Sequence, residues 1–323
     1  MTDNAQNEGL VAPFTALVRS RPDRRTTGFA PGGKVRTHQF GTNRSVFRGR
    51  GMEFDEARIY QPGDDARSID WRVTARTGKM HTKLFHEERE RPVLIVADLR
   101  ASMHFGTRIQ FKSVLAATIA AELAWVGIDG GDRVGGFILL PNGVRSFPAT
   151  RNTSAMLRLL KALSEGTKPE EEQDGEEQDG EAVELPLHTV VDRLRQVSRP
   201  GTLVFIVSDF ADFDERTERA IKRLSLHAHV TNVLVYDQLD TMLPHGNQRI
   251  SDGDHVTLLA ALGRASIENH ARMFRDRRDR LERICRQRGM SFLAIPTSGS
   301  ARDVLVPHRK SAAARTRRER IPA

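Results

Sequence analysis

The chain is poor in residues that cross-link, stack or span. Of its 323 residues a single one, Cys285, is cysteine, which excludes an internal disulfide and suits a reducing compartment. Cys285 falls in a charged helical pattern beside Leu281 and Ile284, so it reads as a small packed side chain rather than a reactive thiol. Aromatics make up 6% of the chain and are not interleaved with basic residues, the arrangement that stacks nucleic-acid bases. No apolar run approaches the roughly 20 residues of a membrane span. The longest, near Leu94–Ala97 and Leu203–Val207, have the length of strands. Met1–Leu10 lacks the basic-then-apolar order of an export signal. The expectation is a cytoplasmic chain with no membrane insertion. Enzymatic signatures are missing as well. There is no Gly-x-x-x-x-Gly-Lys-[Ser/Thr] phosphate loop, no Gly-x-Ser-x-Gly elbow and no His-Glu-x-x-His pair.

What is present is mostly charge and alternating structure. The formal charge is +8, with arginines crowding the stretch before Pro92, the segment Arg272–Arg288 and the tail Arg309–Arg320. Solvated faces or acidic partners account for this as well as nucleic acid does. Residues 1–39 read as a flexible segment containing one short helix near Leu10–Val18, and residues 40–91 as a β-rich appendage with strands near Glu53–Tyr60 and His81–Glu87. Residues 92–300 alternate buried-type strands with helical patterns, which implies a doubly wound, mostly parallel α/β sheet with helices on both faces. Its strands are expected at Val93–Ala97, Arg133–Leu140, Thr202–Ser208, His229–Tyr236 and Met290–Ile295, with a hairpin return at Val144–Phe147. Helices are expected at Gln110–Val126, Thr153–Leu163, Leu187–Val197, Glu215–Leu226 and Ser266–Gly289. Within the domain, 168–184 holds an acidic tandem repeat, Glu171-Glu172-Gln173-Asp174-Gly175 then Glu176-Glu177-Gln178-Asp179-Gly180, which has nothing to bury and reads as a disordered insertion. Residues 301–323 read as a basic tail.

Two strands end in aspartate, one in Asp98 and the other in Ser208-Asp209. Ligands of open parallel sheets gather outside the carboxyl ends of strands, so both carboxylates are candidates for one working edge. Upstream, Asp64, Asp65, Arg67, Asp70, Trp71 and Arg76 alternate in charge. They read as an ion-pair network that locks the N-terminal segment in place with Trp71 as apolar anchor, rather than as a catalytic cluster.

These residues carry a resemblance. Asp98-x-x-x-Ser102, the helix after it, Gly131-Asp132-Arg133-Val134-Gly135 and Ser208-Asp209 resemble a von Willebrand factor A domain. Gly49-Arg50-Gly51-Met52-Glu53-Phe54 and Arg58-x-Tyr60-x-Pro62-Gly63-Asp64-Asp65-x-Arg67-x-Ile69-Asp70-Trp71 resemble the bacterial "domain of unknown function 58" family. The resemblance implies an interaction module working beside a MoxR-type AAA+ ATPase, in chaperoning or maturation of a client protein. It also implies a metal site for Mg²⁺ in which Asp98, Ser102 and Asp209 are ligands, with Thr153 as the matching threonine. Arg100 departs from the pattern, standing where the first ligand serine belongs. A guanidinium offers a cation no lone pair. Two arrangements stay open: Mg²⁺ bound with Arg100 swung away, or a metal-free site with Arg100 paired to Asp98 or Asp209. A plain capping role for the two aspartates is the third. The expected function is therefore non-enzymatic binding through the edge of Asp98, Arg100, Ser102, Thr153 and Asp209. The alternatives are a metal-dependent hydrolase or phosphotransferase using Asp98 and Asp209, and nucleic-acid binding through the basic tail.

Overall fold

A computed structural model describes residues 9–23, 27–29, 52–62, 64–87, 92–169, 184–244, 249–251, 256–259 and 263–307. The acidic tandem repeat and the tail after Pro307 lie outside the described residues. In chain order the elements are α1 (Phe14–Arg19), β1 (Thr27–Phe29), β2 (Met52–Ile59), α2 (Trp71–Thr77), β3 (His81–Glu87), β4 (Pro92–Asp98), α3 (Lys112–Asp129), β5 (Arg133–Leu140), β6 (Gly143–Thr150), α4 (Thr153–Gly166), α5 (Leu187–Val197), β7 (Thr202–Ser208), α6 (Glu215–Leu224), β8 (Ala228–Tyr236), α7 (Gln238–Thr241), β9 (Arg249–Ser251), β10 (Val256–Leu258), α8 (Arg264–Arg288), β11 (Ser291–Pro296) and β12 (Leu305–Pro307).

The chain divides into two units, residues 36–90 and the remainder. The larger unit is built on a six-stranded sheet of order β11-β8-β7-β4-β5-β6, parallel throughout except for the antiparallel edge strand β6. The continuous apolar run of β4 follows from burial on both faces. Val93, Ile95 and Ala97 pack into one core with α1, α3 and α4, while Leu94 and Val96 pack into the other with α5, α6 and α8. Each fully buried aliphatic side chain of this kind contributes about 1.5–3 kcal/mol. In α5, Leu187, Val190, Val191 and Leu194 recur at helical spacing and are all buried. Helix α3 is buried nearly all round and is rich in alanine, which lets it lie close on the sheet. Where β5 runs parallel beside β4, Gly136 lies opposite Ile95 at φ +154°, and a Cβ there would meet the Ile95 carbonyl oxygen at 1.8 Å. Only glycine fits this close approach, beside the register shift that bends β5 against β6.

The structure draws the domain boundaries differently from the sequence reading. Ala12 and Leu17, from the segment read as flexible, are buried in the core, and β1 pairs antiparallel with β12. The domain therefore runs to Pro307. Ala301, Val304 and Leu305, read as the start of the tail, are buried. Under this cover, on α3, lies Glu122. Its side chain is 5% exposed, its Oε2 has no hydrogen-bond partner among the described residues, and Oε1 is 3.8 Å from the Arg302 Nε. Burial pushes this carboxyl up to about 7, against a smaller opposing pull from Arg302.

In the smaller unit, β2 and β3 form an antiparallel hairpin and α2 follows a 3-10 turn at Ala66–Ser68. Among the described residues the charged string 64–76 forms mainly local caps. Asp65 accepts from the Arg67 N–H, and Asp70 accepts from the N–H groups of Arg72 and Val73. Asp64 takes Arg58 Nη2 at 2.6 Å and the Gln61 N–H at 3.0 Å. Arg67, Arg72 and Arg76 are exposed, and Trp71 is 68% exposed. This departs from the expected ion-pair network with Trp71 as apolar anchor. Short aspartates next to turn backbone satisfy N–H groups more readily than they reach distant arginines.

Candidate functional site

Strand order reverses at β4: the sheet grows toward β5 on one side and toward β7 on the other. This is the topological switch point, where the loops leaving two adjacent strands part and open a crevice. Asp98 ends β4 and Asp209 follows β7 directly, so both aspartates belong to this edge. Both are buried, at 0% and 3% exposure.

Two carboxylates in a dry crevice need two positive charges, and the chain supplies both. Arg100 lies two residues beyond Asp98 and folds back onto it. Its Nε donates to Asp98 Oδ1 at 2.9 Å and its Nη2 to Oδ2 at 2.7 Å. On its other side, Nη1 and Nη2 donate to Asp212 Oδ2 and Oδ1 at 2.8 and 3.0 Å. The fifth N–H, on Nη1, reaches the Leu185 carbonyl at 3.3 Å. Every donor of the guanidinium is thus matched. Asp98 is equally filled: Oδ1 also accepts from the Arg100 backbone N–H at 3.2 Å, and Oδ2 from Ser208 Oγ at 2.6 Å. Ser208 Oγ in turn accepts from the Phe210 N–H at 2.8 Å, which fixes its own proton toward Asp98. Phe210 adopts a left-handed φ of 52°, a rare conformation for a non-glycine residue that aims this N–H back at the serine.

The second cation is Lys112, the first residue of α3. Its Nζ donates to Asp209 Oδ2 at 2.8 Å and lies 3.5 Å from Asp240 Oδ2. Burial works against its charged form, but Asp209 and Asp240 outweigh that and hold the ammonium above its usual range. Burial likewise opposes ionisation of Asp209, yet Lys112 and the Ala211 N–H bring the carboxyl below its usual range. Asp212 is also held low, since Arg100 and the Leu187 N–H outweigh its burial. For Arg100, burial is again overcome by Asp98 and Asp212, so its charge is raised further beyond reach of titration.

A third strand end joins this edge. Asp237 follows β8 and is 1% exposed. It accepts from Thr107 N and Oγ1 at 3.1 and 2.8 Å, from Leu239 N at 3.0 Å and from Thr297 Oγ1 at 2.6 Å. Burial is outweighed by these donors, and its carboxyl is held low.

Of the residues singled out from sequence, the structure brings together Asp98, Arg100 and the loop that carries Asp209. Ser102 is exposed on a 3-10 turn (Ala101–Met103), and Thr153 is exposed at the start of α4. Neither is brought into the site by any described hydrogen bond. Arg100 pairs with Asp98 and Asp212, while Asp209 goes to Lys112. Sequence reasoning misses Lys112, Asp212, Asp237 and Asp240. Asp237 carries a usable signal, because it ends an apolar strand as Asp98 does. This donor set does not fit a divalent cation. Both Asp98 oxygens are occupied, Ser102 and Thr153 are exposed, and a guanidinium and an ammonium already lie against the carboxylates. Among the described residues no group of three or more His, Cys, Asp or Glu is placed to hold a metal ion.

Fold and site together define a doubly wound α/β domain with an ion-paired acidic cluster at its switch point. Residues 56–288 match the family described as "Protein of unknown function DUF58", and the chain belongs to that family. It is 29% identical over 259 residues to an uncharacterized protein of Mycobacterium bovis, covering 80% of this chain and 78% of that one, and equally to one of Mycobacterium tuberculosis. Among solved structures it is similar to the SpRpn10 VWA domain, with 13% identity, 67% of this chain and 94% of that chain covered, and a TM-score of 0.34. It is also similar to proximal thread matrix protein 1 from the mussel byssus, with 13% identity, coverage of 45% and 38%, and a TM-score of 0.29. Strand order and register define the fold more firmly than these distant likenesses do. Among the described residues no helix is long and apolar enough to cross a membrane.

Proposed function

We propose that this protein is a non-enzymatic interaction module whose Asp98/Asp209 edge docks an acidic segment of a partner, in the manner of a metal-dependent site whose cation has been replaced by Arg100 and Lys112. One observation carries this reading: the loop just outside the paired charges already receives a carboxylate. The exposed Ala101 N–H donates to Glu184 Oε1 at 2.8 Å, immediately beside Arg100. Asp98 and Asp209 are held by side-chain cations, which supports binding over hydrolysis, since neither is left open as a base or as a metal ligand. The family resemblance supplies the partner class, a MoxR-type AAA+ ATPase acting on a client protein.

The test is titration of the full chain with the MoxR-type ATPase of the same genome, followed by calorimetry. Ser102→Glu places an anion on the exposed turn, where it repels an acidic segment without replacing any member of the ion pairs. Binding weakened at least tenfold, with an unchanged circular dichroism spectrum, is expected. Equal binding by wild type and Ser102→Glu would overturn the assignment of this edge.

A further inference from the structure

We infer that residues Glu184 and Leu185 act as a built-in competitor, occupying in cis the place that a partner's acidic segment takes on the Asp98 edge. This rests on the reading that the edge accepts a carboxylate.

Three hydrogen bonds tie the segment before α5 to the site. Glu184 Oε1 accepts from Ala101 N at 2.8 Å, the Leu185 carbonyl accepts from Arg100 Nη1 at 3.3 Å, and the Leu187 N–H donates to Asp212 Oδ2 at 2.8 Å. The three contacts differ in kind. Leu187 is fully buried as the first residue of α5, and Asp212 satisfies its N–H, so this point is an anchor. Pro186 precedes it at the helix N-cap in extended backbone, with φ −61° and ψ 145°, and it cannot continue a helix backward. Glu184 is exposed and Leu185 only half-buried. They can peel away from Ala101 and Arg100 while Leu187 stays in place.

Peeling would free two donors: the Ala101 N–H and one N–H of Arg100 Nη1. Each is a donor that a carboxylate from elsewhere can take, and while Glu184 and Leu185 are seated both are filled. A partner with an acidic segment therefore competes with the chain itself. The competitor is weak by construction. A hydrogen bond to an exposed carboxylate holds by about tenfold in population at most, so a partner of ordinary affinity can displace it.

The test compares wild type with Glu184→Ala, and with Glu184→Lys as a second variant. Both changes are at an exposed position, so the fold is not at risk. The probe is a synthetic peptide copying residues 176–186, read by fluorescence polarisation, alongside hydrogen exchange at the Ala101 amide. Exchange at Ala101 about tenfold faster in both variants, with peptide binding at least fivefold tighter than to wild type, is the expected result. Equal peptide affinity for wild type and variants would overturn the competition while leaving an acid-accepting edge in place. No binding to any form, with Ala101 exchange accelerated, would overturn the acid-accepting edge and the competition with it. Unchanged exchange at Ala101 would show that Glu184 does not occupy the site.

Discussion

Replacing Glu122 with glutamine separates the energetics of this domain from those of its edge, because Glu122 lies under the C-terminal cover rather than beside Asp98. The carboxyl titrates at about 7 when folded and near 4.5 when unfolded. Between those values the folded state keeps a proton that the unfolded state has lost, so stability falls as pH rises through this window and levels off above it. Every tenfold difference in proton affinity between the two states is worth about 1.4 kcal/mol, which puts the full loss at about 3 kcal/mol. Glutamine has the same shape and no charge. Its unfilled amide adds a constant cost, but that cost does not change with pH. The stability of Glu122→Gln minus that of wild type should therefore climb by about 3 kcal/mol from roughly pH 4.5 to pH 8. Urea denaturation at four or five pH values measures it. For a domain of this size the same change is about 6–12 °C in melting temperature. A difference that stays flat across the window is incompatible with a buried, protonated carboxyl, and would mean that a partner or water keeps Glu122 charged at no cost.

At the strand edge, Arg100→Leu leaves Asp98 buried without a counter-charge and should cost about 3–5 kcal/mol in urea denaturation; an unchanged midpoint would sink the ion-pair account. Mg²⁺ titrated into wild type to millimolar levels should give no saturable heat, whereas Arg100→Ser, with Asp98 and Asp212 released, should gain one; saturable binding by wild type would mean that a cation displaces the guanidinium. Asp209, Asp212 and Asp237 all have depressed folded values. Their stabilisation is present above the ordinary aspartate range and is lost as pH falls through the folded values, so acid unfolding followed by circular dichroism should set in below about pH 4 and become shallower in Asp237→Asn. Trp71→Ala should change stability by less than about 0.5 kcal/mol, and a large loss would restore Trp71 as an anchor.

Much of the sheet is legible in the sequence because its strands are buried on both faces and so read as apolar runs. β7 and α5 have the limits that the pattern assigns them, and the helices around the others differ by a few residues at their ends. The pairing of β1 with β12 is not legible. Three-residue strands from opposite ends of the chain leave no periodicity to detect. The site is half visible. Asp98, Arg100 and Asp209 stand out because charge at the end of an apolar strand is unusual. Lys112 does not, since a lysine opening a helix ordinarily faces water, and only tertiary packing buries this one against Asp209. Sequence alone leaves Arg100 a choice between Asp98 and Asp209. Its second partner, Asp212, comes from a loop whose path depends on the left-handed turn at Phe210, and local sequence does not announce that turn.

Asp212 holds Arg100 and the first N–H of α5 with the same carboxylate. The buried charge and the helix end are thereby a single mechanical joint. A pull on Arg100 and a shift at the start of α5 therefore act on the same carboxylate. The strand edge and the footing of a helix on one face of the sheet share that single residue.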